Sequence, residues 1–145
     1  MMTPLINYFF ECTRPFKRAL PKKCWVELCV KNEMKKLQCI NFVFCSDKYL
    51  LEINSEYLKS EHLTDVISFN TNPTENIENV FGDVYISIPR VRENSRLFNT
   101  GFDTELARVM IHGVLHLIGY NDKTLKEQRT MTKKENYYLN KIKNV

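Results

Sequence analysis

At 145 residues the chain fits one domain built around one hydrophobic core. Its 43% hydrophobic content excludes a disordered tail, and no run approaches the ~18 consecutive apolar residues of a membrane helix. A net charge of +4 and a pI of about 8.8 admit a polyanionic partner such as RNA without requiring one.

The first residues, MMTPLINYFFECTR, have no basic n-region and no small-residue cleavage site, so no secretory signal is expected. Residues 5–10 are apolar and aromatic and predict a strand. Pro21 suits the first position of a helix that carries Cys24, Trp25, Leu28 and Cys29 at helical spacing. Residues 37–45, LQCINFVFC, are rich in β-branched and aromatic side chains and predict a central strand. Ser46 and Asp47 can cap a helix running through Tyr49, Leu50, Ile53 and Tyr57. Five cysteines (12, 24, 29, 39 and 45) form no CxxC pair, and each is expected to be a small buried hydrophobe. An odd count without a signal points to reduced thiols in the cytoplasm.

Residues 65–69 and 83–88 read as a third and a fourth strand. The polar stretch 70–79 joins them as an antiparallel hairpin, which makes the sheet mixed. Pro89 stops the fourth strand and opens a helix over 90–98. Asp103 or Thr104 is expected to cap the next helix, which carries Leu106, Val109, Met110, Val114 and Leu117 and ends at Gly119. A last, polar helix spans about 124–142 with a stripe of Met131, Tyr138, Leu139 and Ile142. The expected fold is α/β (α+β): one small domain over 1–145, about four strands in a mixed sheet, and helices around it.

The segment IHGVLHLIGYND, residues 111–122, carries the chemistry. His112 and His116 are four apart and project from one helix face about one turn apart. That spacing lets two imidazoles meet one ion at ~2.0–2.1 Å. Gly119 can take the left-handed conformation that reverses the chain and returns Asp122 to the same ion. Three protein ligands leave a position open, as in a catalytic zinc site. Two histidines on one helix face can also be satisfied by backbone or carboxylates, but here they sit in an apolar helix followed by Gly and Asp. The motif is not HExxH: Gly113 stands where a metalloprotease carries its general base.

HGVLHLIGYND resembles the HGxLHLxGYDH signature of the YbeY family of bacterial rRNA-maturation endoribonucleases. Ile53-Asn54-x-x-Tyr57 followed by Thr64-Asp65-Val66-Ile67-Ser68-Phe69 is similar to that family's LNxxYRxxDxxTDVLSF stretch. Gly82-Asp83-Val84-Tyr85-Ile86-Ser87 is similar to its GDIxIS strand. The resemblance implies a mixed four-stranded sheet with surrounding helices, and one zinc held on a central helix by His112, His116 and Asp122. It also implies a single-strand-specific endoribonuclease that acts in 16S rRNA 3′-end maturation and ribosome quality control. Its partners would be rRNA precursors and the small ribosomal subunit; neither DNA nor a membrane is expected.

Two positions depart from the family pattern. Asp122 stands where the third ligand is usually histidine, and Leu58 stands where the family often has an arginine linked to activity. Lys59 could neutralise a phosphate in its place as a point charge. His112 and His116 carry catalysis through the metal, with Asp65 as the candidate general base; a strand-end cap is an equal reading of Asp65. Ser68 reads as structural, since no histidine is near it in sequence. Arg90, Arg92, Arg96 and Arg108 could line an RNA path or simply form a solvated face. A non-catalytic ribosome-assembly factor with a structural metal, or a metal-dependent hydrolase of another substrate, are the competing functions.

Overall fold

The computed structural model describes residues 3–57 and 64–145. Four strands run β1 (Leu5–Glu11), β2 (Lys36–Cys45), β3 (Val66–Asn70) and β4 (Asn79–Ser87). Five helices accompany them: α1 (Lys23–Asn32), α2 (Asp47–Tyr57), α3 (Ile88–Leu97), α4 (Phe102–Ile118) and α5 (Leu125–Lys141). The strands form one mixed sheet in the order β1-β2-β4-β3. β1 and β4 flank β2 in parallel, and β3 closes antiparallel on β4. The expected small α/β domain with a mixed four-stranded sheet is borne out.

Strand alternation divides the side chains between two faces. Ile6 of β1, Ile40, Phe42 and Phe44 of β2, and Val80, Val84 and Ile86 of β4 enter the main core with α1, α4 and α5. Cys45, Leu50 and Ile67 form a smaller core on the opposite face, where α2 packs with Tyr49 against Tyr85. β2 lies between two parallel neighbours and is covered on both faces, which explains its nearly unbroken apolar run.

Several boundaries differ from the sequence reading. β4 begins at Asn79, four residues before the expected Asp83, because its first half pairs with β2 at Lys36↔Asn79 and Leu37↔Val80. Gly82 hides this in the sequence. It is glycine because Leu117 lies over it: an added Cβ would be 2.5 Å from Leu117 Cδ1. α1 starts at Lys23, so Pro21 precedes the helix, and the buried stripe is Trp25, Val26, Cys29 and Val30. Cys24 faces outward. Cys12 is exposed as well and Cys39 half-buried, so burial of all five cysteines holds only for Cys29 and Cys45.

α4 is not capped by Asp103 or Thr104. It starts earlier, with Gly101 at the N-cap and no side-chain cap, as Phe102 packs its ring against Phe16. Asp103 and Glu105 instead sit in its first turn, where the helix dipole favours negative charge. Ser46 does cap α2 by accepting from the Tyr49 amide. Thr124 and Glu127 form a reciprocal capping box on α5. Ser87 caps α3, with Pro89 in its first turn. No helix among the described residues is long and apolar enough to cross a membrane.

Candidate metal centre

α4 is the central helix. Leu106, Met110, Ile111, Val114 and Leu115 are buried in the core, while His112 and His116 occupy the remaining, half-exposed stripe. Gly113 faces the sheet: an added Cβ would lie 2.5 Å from Val84 Cγ1 and 3.1 Å from Ser68 Oγ. The position that a protease would give to its base is therefore packed against the β3–β4 hairpin, away from the histidines. Ser68 donates to the Gly113 carbonyl at 2.9 Å, so its hydroxyl is structural.

The helix ends at Gly119, whose φ of 122° belongs to the left-handed region. The Gly119 amide donates to His116 O at 3.1 Å and the Tyr120 amide to Leu115 O at 3.0 Å. This paired closure is the Schellman arrangement, and it turns the chain back beside the helix. Asp122 returns with it. Its Oδ2 lies 3.3 Å from both His112 Nε2 and His116 Nε2, and the two Nε2 atoms are 3.0 Å apart. The structure thus brings His112, His116 and Asp122 together at one point.

The donor set fits a divalent transition metal. A tetrahedral ion with arms of ~2.0–2.1 Å has ligand–ligand edges of about 3.3 Å, close to the observed triangle. The three side chains are 21%, 28% and 39% exposed, so the point they face is open to solvent on one side.

Behind the histidine stands a residue the sequence reading missed. Glu135 of α5 accepts from His112 Nδ1 at 2.7 Å. With Nδ1 as the donor, the His112 Nε2 lone pair is left facing Asp122 and His116, the tautomer a metal ligand needs. Arg108, one turn before His112, holds Glu135 at 3.3 Å and Asn136 at 3.2 Å, and reaches Glu105 at 3.7 Å. The Glu135 side chain is only 9% exposed. A signal was present in the sequence: Glu135 lies on the Met131–Tyr138 stripe, where a lone carboxylate needs a partner.

Burial works against the charged form of His112, but the hydrogen bond and charge of Glu135, with Asp122 and Asp65, outweigh it and raise the imidazole pKa. The same carboxylate field favours a bound dication. Asp65 lies on this side of the sheet, just before β3, and Asn94 donates to its Oδ2 at 3.2 Å. Burial holds its carboxyl above the ordinary aspartate range, opposed by the His112 charge. Lys59 and Leu58 lie outside the described residues. Of the arginines considered for an RNA path, Arg108 is committed to Glu135, Arg90 pairs with Asp47 and Glu93, and Arg92 sits over the Phe102 ring.

The model of the endoribonuclease YbeY family matches residues 14–143. The chain belongs to the endoribonuclease YbeY family. Among its relatives, the endoribonuclease YbeY of Flavobacterium psychrophilum is 50% identical over 135 residues, covering 93% of this chain and 94% of the relative. That of Christiangramia forsetii is 45% identical and covers 90% of this chain and 89% of its own. The solution structure of TM1509 from Thermotoga maritima superposes with a TM-score of 0.64 at 29% identity, covering 93% of this chain and 88% of that one. The YbeY match takes in the whole α4–Asp122 segment, the β3–β4 hairpin and Glu135.

Proposed function

We propose that this protein is a zinc-dependent endoribonuclease. Its substrates are single-stranded segments of rRNA precursors on the small ribosomal subunit, cut in the cytoplasm during 16S 3′-end maturation and quality control. The observation that carries this reading is the convergence of His112, His116 and Asp122 on one open point in a chain of the YbeY family. Two imidazole nitrogens and one carboxylate oxygen are a donor set that suits zinc.

His112, His116 and Asp122 would hold the metal, and Glu135 would keep His112 in the metal-binding tautomer. The chemistry a bound zinc supplies there is Lewis acidity toward a phosphoryl oxygen or a water. Asp65 takes the proton from the attacking oxygen as that oxygen bonds to phosphorus, and water from the open side returns a proton to the oxygen whose bond to phosphorus breaks; burial raises the Asp65 pKa and so its basicity. Lys59 acts as a point charge on a phosphate oxygen, in the role of the arginine that Leu58 replaces. Arg108 does not reach substrate in this scheme, since Glu135 and Asn136 occupy its guanidinium.

The test is cleavage of a small-subunit rRNA precursor by the purified protein, with zinc content measured on the same samples. The parent protein is expected to cut, and His112→Ala and His116→Ala to lose both zinc and cleavage. Equal cleavage by all three would remove the site from catalysis. Binding to small subunits without any cutting would make the protein an assembly factor.

A further inference from the structure

Glu33, at the C-terminus of α1, has a side chain that is only 7% exposed and lies far in sequence from the metal centre. Three donors converge on it. Tyr120 Oη donates to Oε1 at 2.5 Å, Lys134 Nζ to Oε2 at 3.1 Å, and the Tyr138 hydroxyl also to Oε2. A buried carboxylate with three donors is firmly held. Trp25 Nε1 donates to the Tyr138 carbonyl at 2.7 Å and ties the same helix, α1, to α5.

The location of Tyr120 gives this cluster a role. Tyr120 lies between Gly119 and Asp122, in the short loop that carries the third ligand back to the histidines. That loop is fixed at one end by the helix closure at Gly119 and at the other by the Thr124–Glu127 capping box. Between them, the Tyr120 hydroxyl ties the loop to the end of α1. Among the described residues the polar contacts of the Asp122 side chain are with His112 and His116, so no donor outside the metal-facing histidines holds its carboxylate. Its place depends on its backbone.

We infer that Glu33 is a positioning residue of the metal centre, acting through Tyr120 to fix the loop that presents Asp122. The inference rests on the metal-centre reading above. α5 then supports the centre twice: Glu135 orients His112, and Lys134 and Tyr138 hold Glu33 for Tyr120.

The test measures zinc dissociation constants by competition with a chromophoric chelator, alongside urea midpoints, for the full chain. Tyr120→Phe removes only the tie to the loop, and Tyr138→Phe removes a tie to the same carboxylate that does not touch the loop. Both are expected to lower the urea midpoint. Tyr120→Phe is expected to weaken zinc binding about tenfold, within the ~10–100-fold range for groups behind a ligand. Tyr138→Phe should stay within about twofold. Glu33→Ala should match Tyr120→Phe in zinc affinity, and the double variant should be no weaker than Glu33→Ala, as for two parts of one path. If Tyr120→Phe binds zinc within twofold of the parent while losing stability, Glu33 is structural only and the inference fails. Asp122→Ala and His112→Ala serve as the control. If both bind zinc as tightly as the parent, the metal-centre reading fails with it.

Discussion

His112 Nδ1 and the Glu135 carboxylate meet at 2.7 Å across the contact between α4 and α5. This pair links the metal-facing histidine to Arg108 and fixes which imidazole nitrogen is free to coordinate. Glu135→Gln keeps the size and removes the charge. It should weaken zinc binding by about 10–100-fold and slow RNA cleavage in proportion at limiting zinc. Zinc titration and cleavage assays on the same preparation check this; unchanged affinity would separate Glu135 from the centre.

Gly113 sets how closely α4 approaches the β3–β4 hairpin. Gly113→Ala would place a methyl 2.5 Å from Val84 Cγ1, in a contact where both partners are packed. A loss of about 1–3 kcal/mol is expected in urea unfolding, the usual range for overpacking. Glutamate at 113 would restore the letters HExxH without producing a peptidase, since the side chain would point into the sheet.

These two positions separate what the sequence makes legible from what it does not. The histidine pair and the Gly119 stop are local: spacing and backbone conformation over a few residues determine them. The hairpin follows from two strands joined by a short polar loop. Glu135 acts through a contact 23 residues away and Glu33 through contacts 87 and 105 residues away; the stripe marks Glu135 as a carboxylate that needs a partner, but no local pattern names the partner of either. The early starts of β4 and α4 have the same origin. Pairing with β2 and packing of Phe102 on Phe16 extend elements beyond the point where propensity alone would begin them.

Glu33 gives a pH dependence with a defined sign. Burial pushes its carboxyl up, but hydrogen bonds from Tyr120, Tyr138 and Lys134 outweigh this and hold its pKa below the ordinary glutamate value. A depressed carboxyl contributes stability that is present above its unfolded value, ~4.3, and lost as pH falls through the lower folded value. The difference in urea midpoint between the parent and Glu33→Gln should therefore be full at neutral pH and shrink on acidification below pH ~4. A difference that grows on acidification would contradict the assigned direction.

The cysteines divide by burial. Cys12 and Cys24 are exposed and should react rapidly with a disulfide reagent near neutral pH. Cys45 is buried, and that burial pushes its thiol up to about 12; Cys29 is pushed up further by burial and by the Glu33 charge. Both should remain unmodified until denaturant is added, because the thiolate is the reacting form. Thiol counts before and after unfolding provide the check.

The most direct measurement of the central claim is metal reconstitution. The protein is stripped with a chelator, dialysed, and assayed on a single-stranded rRNA-precursor fragment with and without added zinc, with His112→Ala treated in parallel. Cleavage should vanish on stripping, return at about one zinc per chain in the parent, and stay absent in His112→Ala. Cleavage by the stripped protein at the untreated rate, or equal restoration in His112→Ala, would contradict a catalytic metal held by His112, His116 and Asp122.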